Sequence, residues 1–177
     1  VEGRPRRGGE RRLRAECPGR GDPRNAPVRP GDVGPERFGL ARGFSVYDDE
    51  LAAGRAERTA RETTDRALEY LQQDATGPRF VWVHYFDAHS PYAPPEPFRT
   101  RYARNPYLGE VAAMDEQLGR LVEAFDRRGG GAVVVVGDHG EGLGDHGEAQ
   151  HGRLVYQATM RVPLVVAGPG VVPGVSD

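Results

Sequence analysis

The chain has 177 residues, a length that fits one domain or a large part of one. Its formal net charge of -2 provides no general attraction to nucleic acid or to an anionic membrane. The single cysteine, Cys17, excludes an internal disulfide framework and a cysteine-rich zinc site. No run approaches the roughly 18 consecutive apolar residues of a transmembrane helix.

Residues 1–35 differ in composition from the rest of the chain. They contain nine Arg, seven Gly and six Pro, but only four large aliphatic residues and no aromatic residue. Such a segment cannot bury enough apolar surface to offset its ordering entropy, so we predict a disordered basic arm. The alternative is that this segment is translated from a GC-rich coding sequence in the wrong reading frame, with the frame changing near residues 31–37.

From residue 36 onward the pattern is that of a folded domain. A semi-apolar stripe predicts a helix over residues 51–72. Residues 80–86 are dense in β-branched and aromatic side chains, which predicts a buried strand with Trp82 in the core. The prolines that follow forbid a continuing strand or helix, so residues 87–95 form a loop.

The second half repeats this alternation. Asn105 and Pro106 are suited to begin a helix, which we predict over residues 105–128. Residues 132–136 form an uninterrupted apolar run of one Ala and four β-branched Val residues, typical of a strand buried on both faces of a parallel sheet. Residues 162–167 predict a further strand near an edge, because of Pro163. The expected fold is α/β, with a mixed, mostly parallel sheet flanked by helices.

Histidines and carboxylates concentrate in the two loops that follow the predicted strands. Sites in open α/β sheets form at the carboxyl ends of strands. Asp138 can offer oxygen to a hard cation, and His139 can offer a ring nitrogen to the metal or a proton to an anion. His89 is placed to contact a sulfate or phosphate oxygen. The alternative reading is a glycine-rich turn with solvated polar residues.

The remaining polar residues of these loops have simpler interpretations. His84 lies within the first strand and has a structural, hydrogen-bonded role. His146 belongs to the pocket rim or supports the residues at the site, and the sequence favours neither. Glu141 and Glu148 are each, taken alone, typical solvated loop carboxylates.

Several stretches together resemble the sulfatase family of the alkaline phosphatase superfamily. The stretches, in the family's order, are residues 38–49, 80–92, 107–119, 137–148, 151–157 and 161–164. The resemblance covers about residues 36–177 and implies a partial alkaline-phosphatase-like sandwich, the later part of a sulfatase catalytic domain. Family analogy also suggests a periplasmic or extracellular location.

The resemblance assigns roles to four residues. Asp138 and His139 match the metal-binding pair, and the metal is usually Ca²⁺. His89 matches a histidine that contacts the sulfate, and His151 matches a basic residue that also contacts it. The metal and the basic side chains stabilise charge that builds on the ester oxygens. The implied substrate is a small-molecule or glycan sulfate ester.

The family's nucleophile motif is not recognisable in this sequence. Sulfatases use a formylglycine made from Cys or Ser in Cys-x-Pro-Ser-Arg, and two Asp metal ligands also precede the matched stretches. Around Cys17 the proline comes one position too early and the serine is missing. We therefore expect the nucleophile upstream. Because loss of a hydrolase nucleophile costs on the order of a million-fold in rate, we expect this chain alone to be inactive.

Two alternatives remain open. The same scaffold serves phosphodiesterases, phosphonate hydrolases and phosphoglycerol transferases, in which Thr or Ser replaces the formylglycine. The chain could also be an inactive truncated remnant. The sequence leaves the substrate and the oligomeric state open.

Overall fold

The computed structural model describes residues 40–55, 57–74 and 77–175, and the backbone of residues 25–28. The elements in chain order are β1 (Asn25–Val28), α1 (Ala60–Gln72), β2 (Phe80–Val83), α2 (Phe98–Arg101), α3 (Pro106–Arg127), β3 (Val133–Val136), a 3₁₀ turn (Asp145–Gly147), α4 (Gln157–Met160) and β4 (Leu164–Ala167). This mixture of strands and helices confirms the predicted α/β class.

The described strands form two separate pairs. β1 and β2 are parallel, with Asn25 opposite Phe80 and Val28 opposite Val83. β3 and β4 are antiparallel, with Val133 opposite Ala167 and Val136 opposite Leu164. Among the described residues, no hydrogen-bonded ladder joins the two pairs into one sheet.

β1 lies inside the segment that the composition predicts to be disordered. Its four residues take their regularity from pairing with β2, a long-range contact that local composition does not reveal. The rest of residues 1–35 lies outside the described residues. The proposed boundary at residue 35 therefore stays a prediction.

Helix α1 begins at Ala60, later than the predicted start at residue 51. Thr59 fixes this start through a capping box: its hydroxyl accepts a hydrogen bond from the Glu62 N–H, and the Glu62 carboxylate accepts one from the Thr59 N–H. The buried stripe of α1 includes Ala67, Tyr70 and Leu71, as the periodicity predicts. Its end at Gln72 is confirmed.

Helix α3 agrees closely with its prediction. Asn105 caps it by accepting a hydrogen bond from the Leu108 N–H, and Pro106 is its first residue. Its buried residues are Gly109, Glu110, Ala113 and Gln117. Helix α3 packs against α1 and α2, so the central helical layer of the described part of the chain consists of these three elements.

The large apolar side chains of α3 line a cleft of about 850 Å³. They are Tyr107, Val111, Met114, Leu118, Leu121, Val122 and Phe125. Residues of β2 and β3 line the same cleft, which therefore lies between the two strand pairs.

Two predictions of strand burial are wrong in this structure. In β3, Val134 and Val136 are each 60% exposed, and in β2, Trp82 is 38% exposed. The physical reason is that, among the described residues, β3 pairs only with β4 and β2 only with β1. The ring of Phe44 covers Trp82 in part, with ring centroids 6.3 Å apart. β4 begins at Leu164, two residues after the predicted start, directly beyond Pro163.

Gly109 provides a test of the packing between α3 and the loop before it. A Cβ atom at Gly109 would lie 2.8 Å from Pro94 Cγ and 3.2 Å from Tyr102 Cβ. We expect Gly109→Ala to lower the free energy of unfolding by about 1–3 kcal/mol, because a rigid proline ring cannot yield easily. Urea denaturation followed by circular dichroism measures this change.

Gly119→Ala is the matched control, since a Cβ atom at Gly119 meets nothing within 4 Å. Helix propensity alone should then raise stability by about 0.5–1 kcal/mol. Equal effects of the two substitutions would contradict the packing of Pro94 against α3.

Candidate active site

The loop after β2 is fastened to α3 by a buried carboxylate. Glu110 Oε2 accepts a hydrogen bond from the His89 N–H at 3.1 Å, and Glu110 Oε1 accepts one from the Ala93 N–H at 2.5 Å. Burial raises the pKa of Glu110 above its ordinary value, although the Ala93 hydrogen bond opposes this. The backbone at His89 is thus positioned by a helix rather than by the loop alone.

The loop after β3 folds back on itself through closely spaced backbone hydrogen bonds. The Gly140 N–H donates to Thr159 O at 2.8 Å, and the Gly142 N–H donates to Gln150 O at 2.7 Å. A Cβ atom at Gly140 would lie 2.1 Å from Ala158 O, so only glycine permits this approach. The returning segment of the loop brings His151 back beside the end of β3.

A second buried carboxylate holds the end of this loop. Glu148 Oε1 accepts a hydrogen bond from the Arg153 N–H at 2.8 Å, and Oε2 accepts one from the Leu154 N–H at 3.1 Å. The interpretation of Glu148 as a solvated loop carboxylate is therefore wrong. Its buried carboxylate fixes the backbone directly after His151.

The two loops meet in a histidine cluster, composed of His89, His139 and His151. The ring centroids of His139 and His151 lie 3.9 Å apart, and those of His89 and His151 lie 5.8 Å apart. A hydrogen bond of 2.9 Å from Gln150 Nε2 to Ser90 Oγ also joins the loops. Three residues that the sequence predicts to lie at the site, one from the loop after β2 and two from the loop after β3, thus come together.

Asp138 and His139 lie at the solvent-facing side of the cluster. The Asp138 side chain is 71% exposed, and its Oδ1 lies 3.8 Å from His139 Nε2. His139 Nδ1 lies 2.9 Å from Gly140 O. Donation from Nδ1 to this carbonyl leaves Nε2 as the nitrogen that can bind a metal.

The Asp138 carboxylate and the His139 imidazole are donor types that can bind a cation, and their nearest oxygen and nitrogen atoms lie 3.8 Å apart. The described part of the chain contains no group of three or more His, Cys, Asp or Glu side chains that could hold a metal ion.

Glu141 is the site residue that the sequence interpretation missed. Its side chain is 5% exposed, and its carboxylate lies 3.3 Å from His151 Nδ1. Tyr92 donates its hydroxyl proton to Glu141 Oε2 at 2.9 Å. Burial, together with this hydrogen bond and the Glu141 charge, raises the pKa of Tyr92, so the phenol stays protonated. Spacing within the sequence carries no signal for this contact between the two loops.

The other two histidines lie outside the cluster. His146 stacks on Tyr156 with ring centroids 3.6 Å apart, and its Nδ1 lies 3.0 Å from Asp145 Oδ1. This places His146 on the exposed tip of the loop, which fits the rim interpretation. His84 follows β2 and lines the cleft.

The fold and the cluster together describe an α/β protein with a polar site where two strand-end loops meet. A family model described as Sulfatase matches residues 20–176. Because this match includes most of the chain, the protein belongs to the sulfatase family. The match confirms the family resemblance in the sequence. Sulfatases are hydrolases.

Relatives of known sequence and structure agree with this assignment. The uncharacterized sulfatase YidJ of Escherichia coli (strain K12) is 25% identical over 167 residues, covering 68% of this chain and 34% of that protein. Choline-sulfatase of Rhizobium meliloti (strain 1021) is 31% identical over 77 residues, covering 42% of this chain and 15% of that enzyme. The chain thus spans about a third or less of the length of these relatives.

A solved structure supports the same fold. The yidJ sulfatase from Bacteroides fragilis superposes with a TM-score of 0.58 at 21% identity, covering 65% of this chain and 32% of that one. Within residues 25–28, 40–55, 57–74 and 77–175, no helix has the length and apolar character needed to cross a membrane.

Asp87, two residues before His89, allows a test of burial at the site. Its Oδ2 is buried without a hydrogen-bond partner, and burial raises the pKa of Asp87 above its ordinary value of 3.8. A raised folded-state pKa favours the protonated form, so the stability from this group is complete below about pH 3.8 and is lost as pH rises through the folded-state value.

We expect the free energy of unfolding of Asp87→Asn, relative to that of the natural chain, to increase as the pH rises from 3.5 to 7. The neutral amide removes the charge that burial disfavours, and it also relieves Glu110, whose pKa the Asp87 charge raises. Denaturation midpoints across this pH range measure the difference. A difference independent of pH would contradict the burial of Asp87.

Proposed function

We propose that the chain carries part of the metal site and part of the sulfate-binding site of a sulfuric ester hydrolase. The observation that carries this proposal is the histidine cluster, in which His89 and His151 approach within 5.8 Å although they belong to different loops. Imidazole groups gathered around one point can donate hydrogen bonds to a tetrahedral oxyanion. Membership of the sulfatase family supports sulfate as that anion.

His89 and His151 are the residues we assign to substrate binding and catalysis. Each can direct a ring nitrogen at an ester oxygen, where negative charge increases in the transition state. The Glu110 contact holds the backbone at His89, so the ring needs little reorganisation on binding. The substrate class is a small-molecule or glycan sulfate ester. The choline-sulfatase relative is consistent with the smaller kind.

Asp138 and His139 are the residues we assign to a divalent cation, for which Ca²⁺ is the family's usual choice. The Asp138 carboxylate is a hard oxygen donor of the kind that Ca²⁺ prefers, and His139 Nε2 is left free for coordination. When bound, the cation supplies positive charge that polarises the ester oxygens. Ca²⁺ takes six to eight oxygen ligands, so these two side chains form only part of its shell.

We also propose that the two strand pairs belong to one mixed, mostly parallel sheet in the complete catalytic domain. The loops after β2 and β3 meet in the histidine cluster, so these strands end on the same side of the molecule. The cleft of about 850 Å³ between the strands is lined with apolar side chains of α3. Further strands of the domain would occupy this cleft and cover those side chains.

The nucleophile decides between sulfate and phosphate chemistry. We expect a formylglycine, made from Cys in Cys-x-Pro-Ser-Arg, in the upstream part of the complete protein. A Thr or Ser nucleophile there would instead indicate a phosphodiesterase, phosphonate hydrolase or phosphoglycerol transferase. The coding sequence upstream distinguishes these cases, and it also shows whether residues 1–35 are in frame.

Anion binding tests the proposal without requiring turnover by this chain. Sodium sulfate is titrated into the isotopically labelled chain at constant ionic strength, and histidine ring signals are followed by NMR. We expect shifts at His89 and His151. His89→Ala and His151→Ala should each weaken sulfate binding about tenfold, since a charge-assisted hydrogen bond contributes about 1.5–3 kcal/mol.

His146→Ala is the matched control, because that ring stacks on Tyr156 outside the histidine cluster. It should change sulfate affinity by less than about twofold, a free-energy difference of ~0.4 kcal/mol. Sulfate shifts that spread evenly over the surface, or an equal loss in the control, would contradict the proposed anion site.

A further inference from the structure

Glu141 joins the two loops of the site through two contacts on one carboxylate. Oε2 accepts the Tyr92 hydroxyl proton at 2.9 Å, and Oε1 lies 3.3 Å from His151 Nδ1. Tyr92 belongs to the loop after β2, whereas Glu141 and His151 belong to the loop after β3. The row Tyr92–Glu141–His151 therefore crosses the site from one loop to the other.

A buried carboxylate beside an anion-binding site needs a physical explanation. An uncompensated buried charge is costly, and a negative charge repels an incoming sulfate. Here the Glu141 charge is balanced by two donors, the phenol of Tyr92 and the imidazole of His151. The carboxylate is 5% exposed, so its contacts are with these two side chains rather than with solvent.

From these contacts we infer that Glu141 is a positioning residue, which holds the His151 ring with Nδ1–H directed at the carboxylate and Nε2 directed at the anion site. The inference rests on the proposed function for the identity of that site. The partner of one imidazole nitrogen determines which nitrogen carries the proton and how the ring is oriented. Tyr92 in turn holds the Glu141 carboxylate in place.

The neighbouring ring of His139 shows the same arrangement, which strengthens the inference. His139 Nδ1 lies 2.9 Å from Gly140 O, so this ring also directs Nε2 away from its acceptor. The two rings lie 3.9 Å apart at an interplanar angle of 31°. Both rings of this pair therefore have Nδ1 occupied by an acceptor and Nε2 available.

Nitrogen-15 NMR of histidine-labelled chain tests the inference at about pH 9, well above the ordinary imidazole pKa of about 6.5. The natural chain should show His151 protonated at Nδ1 and bare at Nε2. Glu141→Leu removes the acceptor and should abolish this fixed tautomer. Glu141→Gln keeps a carbonyl acceptor and should largely retain it.

His139 is the internal control, because its acceptor is a backbone carbonyl that these substitutions leave in place. Protonation of His151 at Nε2 in the natural chain would overturn the inference, and this result does not depend on any variant folding. An unchanged His151 tautomer in Glu141→Leu, with the His139 tautomer intact, would overturn it as well.

The outcome is distinguishable from failure of the proposed function. If sulfate fails to bind while His151 carries its proton on Nδ1, the proposed anion site is wrong and the Glu141 contact stands. If sulfate binds at His89 and His151 while the His151 proton lies on Nε2, the positioning role of Glu141 is wrong and the anion site stands.

Discussion

The carboxylate of Glu110 accepts hydrogen bonds from the backbone N–H groups of His89 and Ala93, and the geometry of the candidate site depends on this contact. It ties a proline-rich loop to α3, which is itself packed against α1. Glu148 plays the corresponding part after His151 by binding the N–H groups of Arg153 and Leu154. Each loop is thus held by a buried carboxylate that lies outside the histidine cluster.

Burial of carboxyl groups near the site affects their pKa values. Burial raises the pKa of Glu110 and of Asp87, and the charge on Asp87 raises that of Glu110 further. Buried acidic groups therefore lie close to the loop that carries His89. A cleft between β2 and β3 is lined by apolar side chains of α3, and His89, His139 and Glu141 also line it. The polar site and the apolar cleft meet at the ends of these strands.

The sequence predicts local features well and contacts between segments poorly. Capping and periodicity correctly predict α3 almost to the residue. His89 and His151, which the sequence assigns to one site, lie close together in the structure. Full burial of β3 is not observed, because burial depends on neighbouring strands that no local pattern specifies. The contacts of Glu110 and Glu141 leave no local pattern in the sequence, since each residue contacts a loop that is distant along the chain.

The central claim is that the loops after β2 and β3 meet and bring the rings of His89 and His139 close to the ring of His151. Nuclear Overhauser effects between histidine ring protons of the natural chain test this directly. The account predicts a strong effect between His139 and His151, whose centroids lie 3.9 Å apart, and a weaker one between His89 and His151 at 5.8 Å. Absence of both effects, in a chain whose α1 and α3 show their mutual contacts, would contradict the account.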